Sequence, residues 1–153
     1  LDYGTAIPAY ILREALGSFK LLSLSPAASL SLEDHYRFGK ALRPLLAASP
    51  RKTAVIASSD LSHRLKKKSP AGYSPKGARF DNRLLEALRN PDTAIEDILK
   101  MDPGLIKDAG ECGLKPICIA LGLVADSALR SETLAYQTDF GIGYLSLDFT
   151  DGR

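Results

Sequence analysis

The feature that most constrains the fold is a short apolar run at residues 53–57, TAVIA, which leads directly into the polar sequence SSDLSHRL at residues 58–65. A β-branched apolar run of this length, with a helical pattern before it and a polar loop after it, is typical of a buried parallel strand in an α/β sheet. Ligands of such sheets bind beyond the carboxyl ends of the strands. Residues 58–65 are therefore the first candidate for a functional loop.

That loop contains a group suited to proton transfer. His63 is one of only two histidines, and Asp60 and Ser62 lie close enough in sequence to orient its ring. One alternative is a solvated loop histidine. Another is a hydrolytic group of Ser62, His63 and Asp60, which is disfavoured because adjacent residues on a short loop rarely bring nucleophile, base and orienting acid into line. The second histidine, His35, is expected to be solvated near the start of a helix.

Composition limits the class of protein. A chain of 153 residues that is 45% hydrophobic and 25% charged suits one globular domain. A net charge of +2 gives no indication of nucleic-acid binding, and no signal peptide or membrane-spanning run is present, so we predict a cytoplasmic protein. Cys112 and Cys118 are too few for a disulfide scaffold. The chain begins with Leu1 and its only methionine is Met101, so we expect the later part of a longer protein.

The hydrophobic pattern predicts helices alternating with strands. We expect Thr5, Ser31 and Ser74 to act as N-caps, with Asp34 completing a capping box. The predicted helices cover residues 5–16, 32–48, 75–88, 93–100, 103–109 and 117–129. The predicted strands cover residues 19–24, 53–57, 133–137 and 142–149. This order favours an α/β fold.

A second informative stretch places Glu111 and Cys112 between Gly110 and Gly113, immediately before an almost wholly apolar segment. The two glycines allow the backbone to turn sharply and to approach a ligand closely. A carboxylate at the start of a buried helix is solvated, caps the helix or binds a cation. The residues alone leave these alternatives open.

Four motifs are specific in combination although each is weak alone. They are SSDLSHRL at 58–65, GYSPKG at 72–77 with Phe80-Asp81 after it, GECGL at 110–114, and FGIGY at 140–144. Together they resemble the catalytic LigB-type subunit of class III extradiol ring-cleaving dioxygenases, in particular its Memo-related branch, which is often found with an AMMECR-type domain. The resemblance implies a three-layer α/β sandwich with a mostly parallel central sheet flanked by helices. It covers only the later part of the family's domain, so residues 1–153 are expected to form a single domain without an N-terminal portion that carries metal-binding histidines.

The resemblance also implies a chemistry. A non-haem Fe(2+) site would bind the two oxygens of an aromatic diol together with O2, and a ring carbon–carbon bond beside the diol would be cleaved. By position, His63 corresponds to the acid/base histidine, with Asp60 beside it, and Glu111 corresponds to the carboxylate ligand of the iron. Ser59, Tyr3 and Thr5 are expected to line the substrate site, with Tyr3 where the family usually has a histidine. The implied partners are the diol, O2 and an AMMECR-type domain. A homodimer is a further expectation, because a fragment of such a domain would expose a sheet edge and an apolar face.

A non-enzymatic alternative remains open. This chain supplies only one protein ligand of the expected triad of two histidines and one carboxylate, so activity would require the missing segment. The low histidine count and Tyr3 favour a Memo-like scaffold that has lost the metal and acts in protein binding or redox signalling. In that case Cys112 would be the reactive group.

Overall fold

A computed structural model of the chain describes residues 2–151. Within that range the chain forms helices joined by loops and ends in a β-hairpin. The elements are α1 (Tyr3–Leu16), α2 (Leu32–Ala47), α3 (Pro75–Ala87), α4 (Pro91–Leu99), α5 (Pro103–Ala109), α6 (Leu114–Val124), β1 (Arg130–Gln137) and β2 (Tyr144–Thr150). None of these helices combines the length and the hydropathy that a membrane-spanning helix needs.

The expected three-layer sandwich with a mostly parallel central sheet is wrong. Between residues 2 and 151 the only sheet is the antiparallel pair of β1 and β2. Residues 19–24 and 53–57, both predicted as strands, are exposed and make no backbone–backbone hydrogen bonds in the described part of the chain. Their composition favours an extended backbone, but a strand also needs a neighbour that accepts and donates its ladder hydrogen bonds. No described segment provides that neighbour.

The two predicted C-terminal strands are confirmed, with longer bounds for the first. Arg130 lies opposite Thr150 at one end of the hairpin, and Gln137 lies opposite Tyr144 at the other. The connecting turn contains Gly141 in the left-handed region, with φ of 76°. This conformation is favourable for glycine because it has no Cβ.

Local capping sets most helix starts. Ser31 and Asp34 form the predicted capping box, in which the Ser31 Oγ accepts from the Asp34 N–H at 3.1 Å and the Asp34 Oδ2 accepts from the Ser31 N–H at 3.0 Å. Ser74 caps α3, as expected. The helix α1 begins earlier than predicted, because Asp2 rather than Thr5 is the N-cap and accepts the Thr5 N–H at 2.8 Å.

The hydrophobic core lies among α3, α4, α5 and α6. Its largest fully buried apolar side chains are Phe80, Leu84, Ile98, Leu114 and Leu121. The helix α2 packs against α6, where the backbones at Gly39 and Gly122 approach so closely that an added Cβ would overlap the opposite helix. By contrast, α1 contributes no buried residue. The core therefore supports the segment from residue 61 onward more than the N-terminal region.

Candidate functional site

The loop at residues 58–65 is held between the end of α5 and the turn of the β-hairpin. The His63 N–H donates to the Ala109 carbonyl at 3.2 Å, and the Leu65 N–H donates to the Gly141 carbonyl at 3.1 Å. The connection from α5 to α6 also approaches the loop, since a Cβ on Gly113 would lie only 2.8 Å from the Asp60 carbonyl oxygen. The backbone thus brings residues 58–65 and residues 110–113 together.

A buried polar group lies beneath the loop. Asp81 on α3 accepts the Ser62 N–H at 2.9 Å and the Tyr136 hydroxyl at 2.6 Å. Burial raises the pKa of Asp81, while the hydrogen bonds from Tyr136 and Ser62 act in the opposite direction. The sequence motif included Asp81, but its function as a support for the loop was not predicted.

The side-chain contacts of Ser62 argue against it as a nucleophile. Its side chain is fully buried, and its Oγ donates to the Ala109 carbonyl at 2.8 Å and accepts the Arg64 N–H at 3.1 Å. It is therefore engaged in holding the loop rather than presented to a substrate. The hydrolytic alternative based on Ser62, His63 and Asp60 has no structural support.

Three side chains of the kinds that can bind a metal converge at the surface of the loop. The His63 Nε2 lies 3.4 Å from the Asp60 Oδ2 and 3.9 Å from the Cys112 Sγ. One ligand atom from each of these residues lies within 4.8 Å of the others. We call these three residues the site cluster. The Asp60 and His63 side chains are partly exposed and Cys112 is exposed, so the cluster is accessible from solvent.

The Cys112 thiol has a pKa above that of a free cysteine. Partial burial is the main cause that raises the pKa of Cys112, and the negative charges of Asp60 and Glu111 add to it, whereas the Asp60 backbone N–H opposes it. That N–H donates to the Sγ at 3.4 Å. A bound cation would reverse this balance, because metals bind the thiolate form of cysteine.

The Glu111 side chain caps a helix instead of joining Cys112 in the site cluster. Its Oε2 accepts the Leu114 N–H at 2.7 Å, at the first turn of α6. Burial raises the pKa of Glu111, and hydrogen bonds from the Leu114 and Gly113 backbones lower it. Among the described residues its carboxylate does not belong to the site cluster, which contains the adjacent Cys112 instead. The sequence prediction considered Cys112 as a reactive thiol but missed it as a metal ligand, although it lies beside Glu111 between the same two glycines.

Two of the three predicted substrate-binding residues lie in α1, and the third lies beside Gly113. Ser59 lies beside Gly113, with its Oγ 3.2 Å from the position of an added Cβ there. Tyr3 and Thr5 lie in the first turn of α1, which approaches the loop at Ser58. The Tyr3 side chain is 85% exposed, and the Thr5 Oγ1 makes a 2.9 Å hydrogen bond with the Ser23 Oγ.

The second histidine does not take part in the cluster. His35 is buried rather than solvated as expected, and its Nδ1 lies 2.6 Å from the Ser31 carbonyl oxygen. Its Nε2 has no hydrogen-bond partner among the described residues. Residues 2–151 therefore bring one imidazole, one carboxylate and one thiol together, a set that suits zinc or iron in kind. They do not form a triad of two histidines and one carboxylate by themselves.

Comparison with known proteins gives two matches. Residues 1–146 match the family described as the catalytic LigB subunit of aromatic ring-opening dioxygenase. Protein CA_C1420 of Clostridium acetobutylicum is 34% identical over 144 residues, which cover 94% of this chain. The chain spans only 30% of the length of that relative.

Proposed function

The chain belongs to the LigB family of aromatic ring-opening dioxygenase subunits, and from this premise we propose that it is part of an extradiol dioxygenase that acts on a catechol-type diol with Fe(2+) and O2. The observation that carries this proposal is the convergence of Asp60, His63 and Cys112, which come from two segments far apart in sequence. This convergence brings a proton-transfer residue and a candidate metal ligand together at an accessible surface, as a metal-dependent oxygenase needs.

We assign the proton transfers to His63. Its ring is partly exposed, and the Asp60 carboxylate lies 3.4 Å from its Nε2, close enough to orient it. The histidine would accept a proton from a hydroxyl of the diol and later return it. Ferrous iron, when bound, would provide the coordination positions for the diol oxygens and for O2. Ser59 in the site loop (residues 58–65) and Tyr3 and Thr5 in the first turn of α1 would contact the ring of the substrate.

The metal ligand from this chain is Cys112 or Glu111. We favour Cys112, because the Glu111 carboxylate already accepts the Leu114 N–H while the Cys112 Sγ lies 3.9 Å from His63. Since the chain spans 30% of its relative, we further propose that histidine ligands come from an earlier portion of a longer polypeptide. Residues 1–153 would then be the later part of a single domain, located in the cytoplasm, with a second copy or an AMMECR-type domain as partner.

The decisive experiment reconstitutes the complete polypeptide with Fe(2+) under anaerobic conditions and then supplies a catechol and O2. We expect a ring-opened product, and we expect His63→Ala to lower the rate by about a hundredfold or more, as for loss of a general acid/base. Lys67→Ala, which changes an exposed lysine four residues after His63, is the control that should keep full activity. Absence of both iron uptake and ring-opened product would refute the proposal.

A second experiment distinguishes the two candidate ligands. Co²⁺ bound to a thiolate gives a charge-transfer absorption that a carboxylate does not give. We expect this absorption with the wild-type chain and with Glu111→Gln, and its loss with Cys112→Ser. A wild-type chain that binds Co²⁺ without this absorption, together with loss of Co²⁺ binding in Glu111→Gln but not in Cys112→Ser, would assign the ligand to Glu111 instead.

A Memo-like scaffold without a metal is the second candidate function. The observation that favours it is the exposed thiol of Cys112, next to a single histidine rather than two. This function predicts that the metal-free protein captures a defined partner and that Cys112→Ser weakens the capture. A metal-loaded, ring-opening enzyme whose partner binding is insensitive to Cys112 would exclude it.

A further inference from the structure

The carbonyl groups at the end of α5 are bound by the site loop. The last carbonyls of a helix have no partner within the helix, so they need one elsewhere. The Ala109 carbonyl accepts the Ser62 hydroxyl at 2.8 Å as well as the His63 N–H at 3.2 Å. The Asp108 carbonyl accepts the Nη1 group of Arg64 at 3.3 Å. Three successive residues of the site loop are therefore docked on the end of one helix.

The Arg64 side chain makes contacts on both sides of its guanidinium group. Besides the bond to Asp108, its Nε donates to the Ala71 carbonyl at 3.0 Å. Its aliphatic stem lies against Gly110, where an added Cβ would be 3.3 Å from the Arg64 Cδ. The planar guanidinium can bind two carbonyls at fixed angles, whereas lysine offers a single flexible ammonium group. Arg64 thus ties the site loop both to the segment that follows it and to the end of α5.

These contacts lie between two members of the site cluster. Arg64 directly follows His63, and Gly110 precedes Cys112 by two residues. Gly110 adopts the left-handed conformation, with φ of 61°, at the point where the chain leaves α5 and turns toward Cys112. The packing of Arg64 on Gly110 therefore helps to set where the thiol lies relative to the His63 ring, whose Nε2 is 3.9 Å from the Sγ.

We propose that Arg64 is a positioning residue that fixes the distance between the His63 ring and the Cys112 thiol. Its two carbonyl bonds and its packing on Gly110 supply the rigidity. The geometric part of this inference concerns the 153-residue chain by itself. Its consequence for catalysis rests on the proposed function, in which His63 transfers protons to and from a diol that the neighbouring metal holds.

Nuclear magnetic resonance measures the spacing in the metal-free 153-residue chain, without reference to activity. A nuclear Overhauser cross-peak between the His63 ring protons and the Cys112 β-protons reports their proximity. We expect this cross-peak in the wild type and its loss in Arg64→Ala. The matched control is Arg83→Ala, which removes the same charge from an exposed position on α3 and should keep the cross-peak. Absence of the cross-peak in the wild type, or equal cross-peaks in the wild type and Arg64→Ala, would overturn the proposal.

A lysine variant separates the two carbonyl bonds from the charge. Arg64→Lys keeps the charge and much of the stem, but it cannot bind both carbonyls in the same geometry. We expect it to lose the cross-peak as well, while cross-peaks between core side chains such as Phe80 and Leu121 show that the chain is folded. This variant also decides the question if Arg64→Ala does not fold. A cross-peak of wild-type intensity in Arg64→Lys would mean that the two bonds do not set the spacing, contrary to the proposal.

Kinetics of the complete, iron-loaded polypeptide distinguish positioning from substrate binding. Displacement of a reacting group by about 1 Å can cost about a hundredfold in rate. We therefore expect Arg64→Ala to lower kcat by at least about tenfold with KM almost unchanged, and Arg83→Ala to leave both unchanged. An unchanged kcat, or a change in KM alone, would contradict the positioning role. If the cross-peaks behave as expected but the wild type opens no ring, only the proposed function fails.

Discussion

Asp81 connects three parts of the molecule through one carboxylate. It lies on α3, accepts the N–H of Ser62 in the site loop, and accepts the hydroxyl of Tyr136 on β1. Both donors depend on it because the group is fully buried, away from water. The position of His63, one residue after Ser62, therefore depends on a side chain that does not belong to the site cluster.

Replacing Asp81 should be costly even though it lies outside the cluster. Asp81→Ala leaves two donors without an acceptor, so we expect the free energy of unfolding to fall by at least about 2 kcal/mol. Tyr136→Phe removes one partner only and should cost about 1 kcal/mol. Urea denaturation measures both. Asp97→Ala, an exposed carboxylate on α4, is the control, and an equal effect of Asp81→Ala and Asp97→Ala would show that the network contributes nothing.

Asp81 should also give stability a specific pH dependence. Burial raises its pKa in the folded state above the unfolded value of about 4. The folded state then keeps the proton at pH values where the unfolded state has lost it, so the contribution is complete below about pH 4 and declines as the pH rises through the folded pKa. Asp81→Asn cannot titrate. The stability of the wild type relative to this variant should therefore decrease as the pH rises above about 4, and a constant difference would contradict the assignment.

At the scale of elements, the contact between α2 and α6 is set by glycine. A Cβ on Gly39 would overlap the carbonyl oxygen of Ile119, and a Cβ on Gly122 would overlap that of Tyr36. Alanine is a better helix former by about 1 kcal/mol, but overpacking against a backbone that cannot move aside costs about 1–3 kcal/mol. We therefore expect Gly39→Ala and Gly122→Ala to lower the free energy of unfolding.

The control for this contact is another helical glycine. A Cβ on Gly4, in α1, would lie 3.6 Å from the Ser58 Oγ, which is an ordinary contact distance. Gly4→Ala should be neutral or slightly stabilising because only the helix propensity changes. Thermal unfolding of the three variants would test the argument. Stabilisation by Gly39→Ala would mean that the two helices can separate at little cost.

The elements that the sequence predicted correctly are those with local causes. The Ser31 and Asp34 capping box, the Ser74 cap and the C-terminal hairpin all depend on residues close together in the chain. The strand predicted at residues 53–57 depends on a neighbour elsewhere, which composition cannot reveal. The site likewise has one part that follows from local sequence and one that depends on tertiary contacts. The loop around His63 could be located from its motif, but the proximity of Cys112 to the ring follows from tertiary contacts and from the turn of Glu111 toward Leu114.

At the scale of the whole molecule, stability is unevenly distributed. The fully buried apolar side chains belong to α3, α4, α5 and α6, whereas α1 contains no buried residue and has Ile7 and Ile11 more than half exposed. Removal of α1 from the 153-residue chain should therefore lower the free energy of unfolding by less than the loss of one buried core side chain, which costs about 2–5 kcal/mol.

The loss of stability on deleting α1 can be compared with the loss caused by a substitution in the core. Leu121 is 1% exposed in α6, and Leu121→Ala should cost about 2–5 kcal/mol because it leaves a cavity among close-packed side chains. Urea denaturation of the wild-type chain, the chain without residues 1–18, and Leu121→Ala would rank the three. If the deletion costs as much as the core substitution, α1 must contribute to the cooperative unit despite its exposure. If it costs little, the apolar side chains of α1 add nothing to the stability of this unit.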